Sequence, residues 1–107
     1  MKLLLKWKIW RIETELKNLL KMTGIKPLVW SFGAYYIDPK HLVFVVGVPT
    51  DKEKEQLKAN TDFNNTMKAL LAKYNWPVTA RKHVVFDIES QETVDRETDG
   101  HWWYYYK

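Results

Sequence analysis

The sequence predicts a single α+β domain, residues 1–107, in which two helices pack on one face of a four-stranded, mainly antiparallel sheet. Three observations support this prediction. The chain has 107 residues, enough for one ordinary core and too few for two. Apolar residues recur at helical spacing in two segments, and β-branched and aromatic residues concentrate in four others. The expected element order is therefore α-β-β-α-β-β.

The first helix is predicted from apolar residues that share one helical face: Leu5, Ile9, Ile12, Leu16, Leu19 and Leu20. Gly24 and Pro27 are expected to end it, because glycine suits a helix C-terminus and proline cannot continue a helix. Residues 3–9 also alternate between apolar and polar types, so a short opening strand competes with the helix at the start of the chain.

Two strands are predicted next, over residues 27–37 and 41–48. Both segments are rich in β-branched and aromatic residues, and the polar residues 38–40 separate them, which is typical of an antiparallel hairpin. The second strand is apolar on both sides. We therefore expect it to be central in the sheet and covered on both faces.

The second helical region is predicted to begin at Thr50, which can form a capping box with Glu53. We expect a short polar helix near 51–58 and a packed helix from about 62 to 75, with one bent helix as the alternative. Residues 83–89 alternate between apolar and polar types, as in a strand with one buried face.

The chain ends in five consecutive aromatic residues, 102–106. Burying one such ring is worth roughly 1.5–3 kcal/mol, so a frayed end is not expected. We predict that residues 101–106 form the last strand, after a charged connection in which Ser90 caps one helical turn. The common core is expected to include Leu16, Leu19, Val43, Phe44, Leu70, Tyr74, Phe86 and Ile88.

The composition excludes several functional classes. Cysteine is absent, which rules out disulfides, thiol catalysis and Cys-ligated metal sites. The sequence contains no glycine-rich phosphate loop and no His-Glu-x-x-His motif, and its three histidines lack a paired spacing. We therefore predict no cofactor and no metal site, assign no catalytic residue, and treat enzymatic activity as the less favoured class.

Charge and hydropathy bear on location and partners. The apolar run at residues 3–5 is too short for a signal peptide, and no stretch approaches the ~20 apolar residues of a membrane span, so a cytoplasmic protein is expected. The net charge is +4, with the basic residues concentrated in 1–26 and the acidic ones in 86–99. These segments are expected to neutralise each other within one molecule or across a dimer; a basic surface for an acidic partner is the alternative.

The leading hypothesis for function is a small non-enzymatic protein-binding module with an adaptor, inhibitor or immunity-like role, acting as a homodimer. It rests on more aromatic surface than a chain of this size readily buries, rimmed by mixed charges. The candidate partner-binding residues are Trp7, Trp10, Trp30, Trp102, Trp103, Tyr104 and Tyr105.

Two alternatives come from other functional classes. Aromatic side chains on an open sheet face, together with the basic N-terminal helix, could bind single-stranded nucleic acid. An acidic pocket formed by Asp87, Glu89 and His101 could serve a small ligand-binding protein or an enzyme.

Trp7 and Trp10 also lie among lysines, off the main apolar face of the first helix. That pattern is typical of a helix at a membrane surface. Because only the first three turns carry it, a second packing surface is the preferred interpretation.

Overall fold

The element order differs from the expected one. The computed structural model describes residues 2–107, with side chains described from residue 3. Its elements run α-β-β-α-α-β-α-α, so the α+β class is confirmed but the predicted order is wrong. They are α1 (Lys2–Met22), β1 (Leu28–Phe32), β2 (Val43–Val48), α2 (Asp51–Ala59), α3 (Thr61–Lys73), β3 (Val85–Ser90), α4 (Gln91–Thr98) and α5 (Trp102–Tyr105).

The sheet has three strands in the order β1-β2-β3, and it is mixed. β1 and β2 pair antiparallel, with Leu28 opposite Gly47, as the hairpin pattern predicts. β2 and β3 pair parallel, with Val43 opposite Val85, so the prediction of a four-stranded, mainly antiparallel sheet is wrong. The physical reason is the long connection through α2 and α3, which returns the chain to the starting end of β2 and allows β3 to run in the same direction.

One face of the sheet packs against the long helices. Phe44, Val46 and Ile88 contribute to a core shared with the inner face of α1 and with α3. The expected core residues Leu16, Phe44, Leu70 and Ile88 are buried, whereas Leu19, Tyr74 and Phe86 are only partly buried at its margin. Val43 lies on the opposite face of the sheet, because side chains alternate along a strand.

The helix boundaries follow local signals in the sequence. α1 is helical from residue 2, so the alternative of an opening strand is wrong. The Thr50 hydroxyl accepts from the Glu53 N–H while the Glu53 carboxylate accepts from the Thr50 N–H, which confirms the capping box. α3 has its own N-cap, Asn60, so residues 51–73 form two helices rather than one bent helix.

The aromatic tail is a short helix, and the predicted strand over 101–106 is wrong. α4 ends at Thr98, and Asp99 and Gly100 follow in the left-handed region, with φ of 52° and 85°. This turn directs the tail across the face of the sheet that α1 and α3 leave free. In a helix, Trp102, Tyr105 and Tyr106 share one side, so all three can contact the sheet, whereas a strand would point alternate rings away.

Within residues 2–107, no helix is long and apolar enough to cross a membrane.

Candidate functional site

The tail packs on the second face of the sheet. The Trp102 ring meets the Trp30 ring edge-on, with centroids 5.0 Å apart. The Tyr106 ring lies 6.1 Å from Trp30 and 5.8 Å from Phe32. Val45, between Trp30 and Asp87 on the middle row of the sheet, is fully buried. The sheet face that we expected from the sequence to be open is therefore covered by the chain's own tail.

Three polar contacts hold the tail in place. The Tyr105 hydroxyl donates to Glu89 Oε2 at 2.5 Å, and the Tyr106 hydroxyl donates to Asp87 Oδ2 at 2.7 Å. The Trp102 Nε1–H donates to the side-chain oxygen of Gln91 at 2.8 Å. Each of these three partly buried tail residues thus donates its polar hydrogen to an acceptor, which removes the cost of burying an unpaired donor.

These contacts shift the pKa values of the tyrosines and of Glu89. The hydrogen bond to Glu89 and burial raise the pKa of Tyr105, and burial with the hydrogen bond to Asp87 raises the pKa of Tyr106. Burial acts to raise the pKa of Glu89 as well. Hydrogen bonds from Tyr105, Lys54 and the Ser90 N–H outweigh burial, so the Glu89 pKa lies below its ordinary value. Both tyrosines are neutral donors and Glu89 is an ionised acceptor at neutral pH.

A polar network continues from Glu89 to the N-termini of α2 and α4. Lys54 Nζ lies 2.9 Å from Glu89 Oε1 and 3.1 Å from Thr93 Oγ1. Asp51 accepts from the hydroxyls of Ser90 and Thr93 and from the Arg96 guanidinium, and these hydrogen bonds lower its pKa. Ser90 is fully buried, so its hydroxyl joins α2 to α4 and is not presented to a substrate.

The proposed acidic pocket residues are only partly brought together. Asp87 and Glu89 lie two residues apart on the same face of β3, but each accepts a hydrogen bond from a tyrosine hydroxyl. His101 is exposed, and its ring packs against Tyr104 at 5.8 Å. In the part of the chain that the structure describes, no three His, Asp or Glu side chains are grouped so that they could hold a metal ion.

An apolar groove runs between the tail and β1. It has a volume of about 570 Å³ and is lined by Leu28, Trp30, Phe32, Trp102, Trp103, Tyr106 and Lys107. A second depression of about 330 Å³ adjoins it and shares Leu28 and Trp102. Leu28 and Phe32 are about two-fifths exposed and Trp103 is two-thirds exposed, so the groove presents apolar surface to solvent.

The groove lies at an unpaired sheet edge. β1 pairs with β2 on one side only. Across residues 2–107, no backbone hydrogen bond from another segment reaches the outer side of β1. An apolar edge strand beside an apolar groove is a surface on which another chain can add a strand.

The candidate partner-binding residues divide into two groups. One group consists of Trp30 on β1 with the tail residues Trp102, Trp103, Tyr104 and Tyr105, and the other of Trp7 and Trp10 on α1, on the other side of the sheet. The list of candidate partner-binding residues does not include Leu28 and Phe32, which also line the groove. The signal was present, because the two residues alternate with Val29 and Ser31 and share a strand face with Trp30.

Comparison of the chain with protein-family models, with curated proteins and with solved structures finds no match in any of the three. What the chain can do is therefore argued from its geometry, which is an α+β domain with an apolar groove at a free strand edge.

Proposed function

We propose that this chain is a non-enzymatic protein-binding module that forms a homodimer through the groove and the free edge of β1. The observation that carries the proposal is the apolar groove of about 570 Å³, which is open beside the unpaired outer edge of β1. A peptide backbone placed there would satisfy the outer N–H and C=O groups of β1, while its side chains would cover the aromatic rings.

The sequence of β1 supports a second copy as the occupant. Leu28, Trp30 and Phe32 share one face, with Trp30 at the centre of the five-residue strand. A two-fold axis at Trp30 would place Leu28 of one protomer opposite Phe32 of the other, so the same apolar patch is used twice. Self-complementary patches of this kind are what symmetric dimers require. The product would be a continuous six-stranded sheet with both tails on one face.

The experiment measures mass in solution by light scattering after gel filtration, at about 100 µM protein. We expect a dimer for the unaltered chain and a monomer for Phe32→Glu, because the carboxylate would be desolvated in the dimer. Val85→Glu is the matched control: Val85 is 49% exposed in the same row of the sheet, but on the β3 edge.

The control variant should remain dimeric. A monomeric unaltered chain at this concentration, in low and in moderate salt, would overturn the proposal. So would a Phe32→Glu variant that stays dimeric. If Trp7→Glu combined with Trp10→Glu gives monomers instead, the interface belongs to α1 and not to the groove.

The alternatives have less support from the same contacts. Stacking of nucleobases needs free rings on the sheet, but Trp30 and Tyr106 pack against each other, close to the Asp87 carboxylate. Acid–base catalysis needs an available carboxyl, but Asp87 and Glu89 both accept tyrosine hydroxyls. A cytoplasmic location is proposed on composition alone, because a chain without cysteine suits a reducing compartment.

A further inference from the structure

Over its first three turns, α1 is apolar on two opposite faces. The inner face carries Leu5, Ile9 and Ile12 into the core. The outer face exposes its apolar side chains to solvent: Leu3 is 81% exposed, Leu4 53%, Trp7 53% and Trp10 57%. Beyond Trp10 the outer face becomes polar. Apart from Met22, the last residue of α1 and 83% exposed, the exposed large apolar side chains of the helix are therefore gathered at its N-terminal end.

This apolar surface lies among basic residues of α1, of which Lys8 donates to the Asn75 carbonyl at 2.8 Å. Residues 2–12 contain Lys2, Lys6, Lys8 and Arg11 and no acidic residue. The Arg11 guanidinium lies 5.9 Å from the Trp7 ring centroid and 6.0 Å from that of Trp10.

The nearest acids along the chain offset this charge only in part, although the Glu15 carboxylate interacts with Arg11. The Glu15 carboxylate is held by Lys73 at 2.6 Å and by the Tyr74 hydroxyl at 2.7 Å. Glu13 is half-buried at the margin of the inner face, and burial raises its pKa. The outer face therefore presents aromatic and leucine side chains within a basic rim.

Charge decides between the possible occupants of this face. A second copy related by a two-fold axis through this face would bring two basic rims together, and like charges oppose such a contact. The chain's own tail cannot cover it, because the tail packs on the other side of the sheet. The occupant must be apolar and negatively charged at once.

We propose that the first three turns of α1 bind the surface of an anionic phospholipid bilayer. The exposed apolar side chains of the outer face, Trp7 and Trp10 among them, would enter the boundary between headgroups and acyl chains. Lys6 and Arg11 would meet lipid phosphates. Tryptophan is enriched at that depth because its ring is amphipathic. The groove at β1 faces away from this surface, so the dimer and the bilayer can be bound together.

The test is co-sedimentation of the full chain with vesicles. One set is phosphatidylcholine alone, and the other is phosphatidylcholine mixed with phosphatidylglycerol. We expect binding to the anionic vesicles only, and weaker binding as salt screens the lipid charge. Trp7→Ala combined with Trp10→Ala should weaken binding at least about ten-fold, because two interfacial anchors are lost.

Two further variants keep the test specific. Lys6→Gln should weaken binding to anionic vesicles about five-fold, which corresponds to one basic residue at the lipid surface. Trp103→Ala is the matched control, since Trp103 is also an exposed tryptophan but belongs to the groove; its binding should be unchanged. Circular dichroism checks that each variant is folded.

Other outcomes would overturn the proposal. These are absence of binding to anionic vesicles, equal binding to neutral ones, or an equal loss in the Trp103→Ala control. Binding to soluble poly-glutamate but not to vesicles would assign the face to an acidic protein. None of these outcomes depends on the oligomeric state, so this proposal and the dimer proposal can fail separately.

Discussion

The two ends of this chain carry similar residues in different environments. Both combine tryptophan with lysine or arginine, yet Trp102 and Tyr106 are packed on the sheet while Trp7 and Trp10 are more than half exposed. The tail residues each have a polar acceptor for their N–H or O–H group. The Arg11 guanidinium lies over both α1 tryptophan rings.

The difference teaches that aromatic content alone does not determine burial. A ring is buried at low cost when its polar atom reaches an acceptor and its neighbours match its shape. The tail meets both conditions because β3 places Asp87 and Glu89 on the same face as the rings of β1. On the outer face of α1, the Trp7 and Trp10 rings are more than half exposed, so they remain available to another surface.

Deleting residues 102–107 should have the largest effect. It removes every tail contact with the sheet and exposes Val45 and Trp30. We expect a loss above about 3 kcal/mol, the lower end of what one buried aromatic ring contributes, with aggregation through the uncovered face. Thermal unfolding and solubility measure the effect. A soluble truncated chain with an unchanged melting temperature would mean that the tail is not part of the folded unit.

Replacing one tryptophan at each end tests the comparison directly. Trp102→Ala should destabilise the protein by about 2–4 kcal/mol, because it removes the Trp30 contact and the hydrogen bond to Gln91. Trp7→Ala should stay within about 0.5 kcal/mol, as expected for an exposed site. Denaturant unfolding gives both values. An equal loss of unfolding free energy in the two variants would show that the two ends contribute equally to stability.

A finer test removes only the tail hydroxyl groups. Tyr106→Phe should cost about 1–3 kcal/mol, because the partly buried Asp87 carboxylate loses the donor at 2.7 Å. Tyr104→Phe is the control, since Tyr104 is 58% exposed, and its cost should stay within about 0.5 kcal/mol. Urea unfolding at neutral pH measures both. If the two variants behave alike, burial of the ring rather than the hydroxyl group holds the tail.

The smallest effect is expected at high pH. Tyr105 and Tyr106 have a pKa raised above the ordinary value of 10.0 in the folded chain, so they contribute stability below pH 10 that is lost as the pH rises above it. The pKa of Lys54 is raised by its hydrogen bond to Glu89 and acts in the same direction.

The melting temperature should therefore fall between about pH 10 and pH 12, and less steeply when Tyr105→Phe and Tyr106→Phe are combined. The melting temperature of the unaltered chain and that of the double variant are each compared with the same protein's value at pH 8. A double variant that loses stability as steeply as the unaltered chain would assign the alkaline transition to other groups.

Much of the local structure could be predicted because its signals are local. The Thr50–Glu53 capping box and the apolar run of β2 depend on neighbouring residues, and both predictions were correct. The parallel pairing of β3 could not be predicted in this way, because strand direction depends on how α2 and α3 carry the chain across the sheet.

The tail is the second feature that the sequence did not predict correctly. Its aromatic residues favour a strand by intrinsic propensity, but a strand here would point alternate rings away from the sheet. The left-handed turn at Asp99 and Gly100 determines where the tail packs on the sheet. Of the groove residues, Trp30, Trp102 and Trp103 were among the candidates predicted from the sequence, whereas Leu28 and Phe32 joined them once the edge position of β1 was known.

The docked tail also bears on synthesis of the protein. β1 is made early, but the residues that cover it, Trp102 and Tyr106, are translated after the other strands and helices described above. Until they emerge from the ribosome, Trp30 and Val45 remain open on a nascent sheet with a free edge. That interval exposes the chain to association with its neighbours, and chaperones that bind apolar strands would meet this surface first.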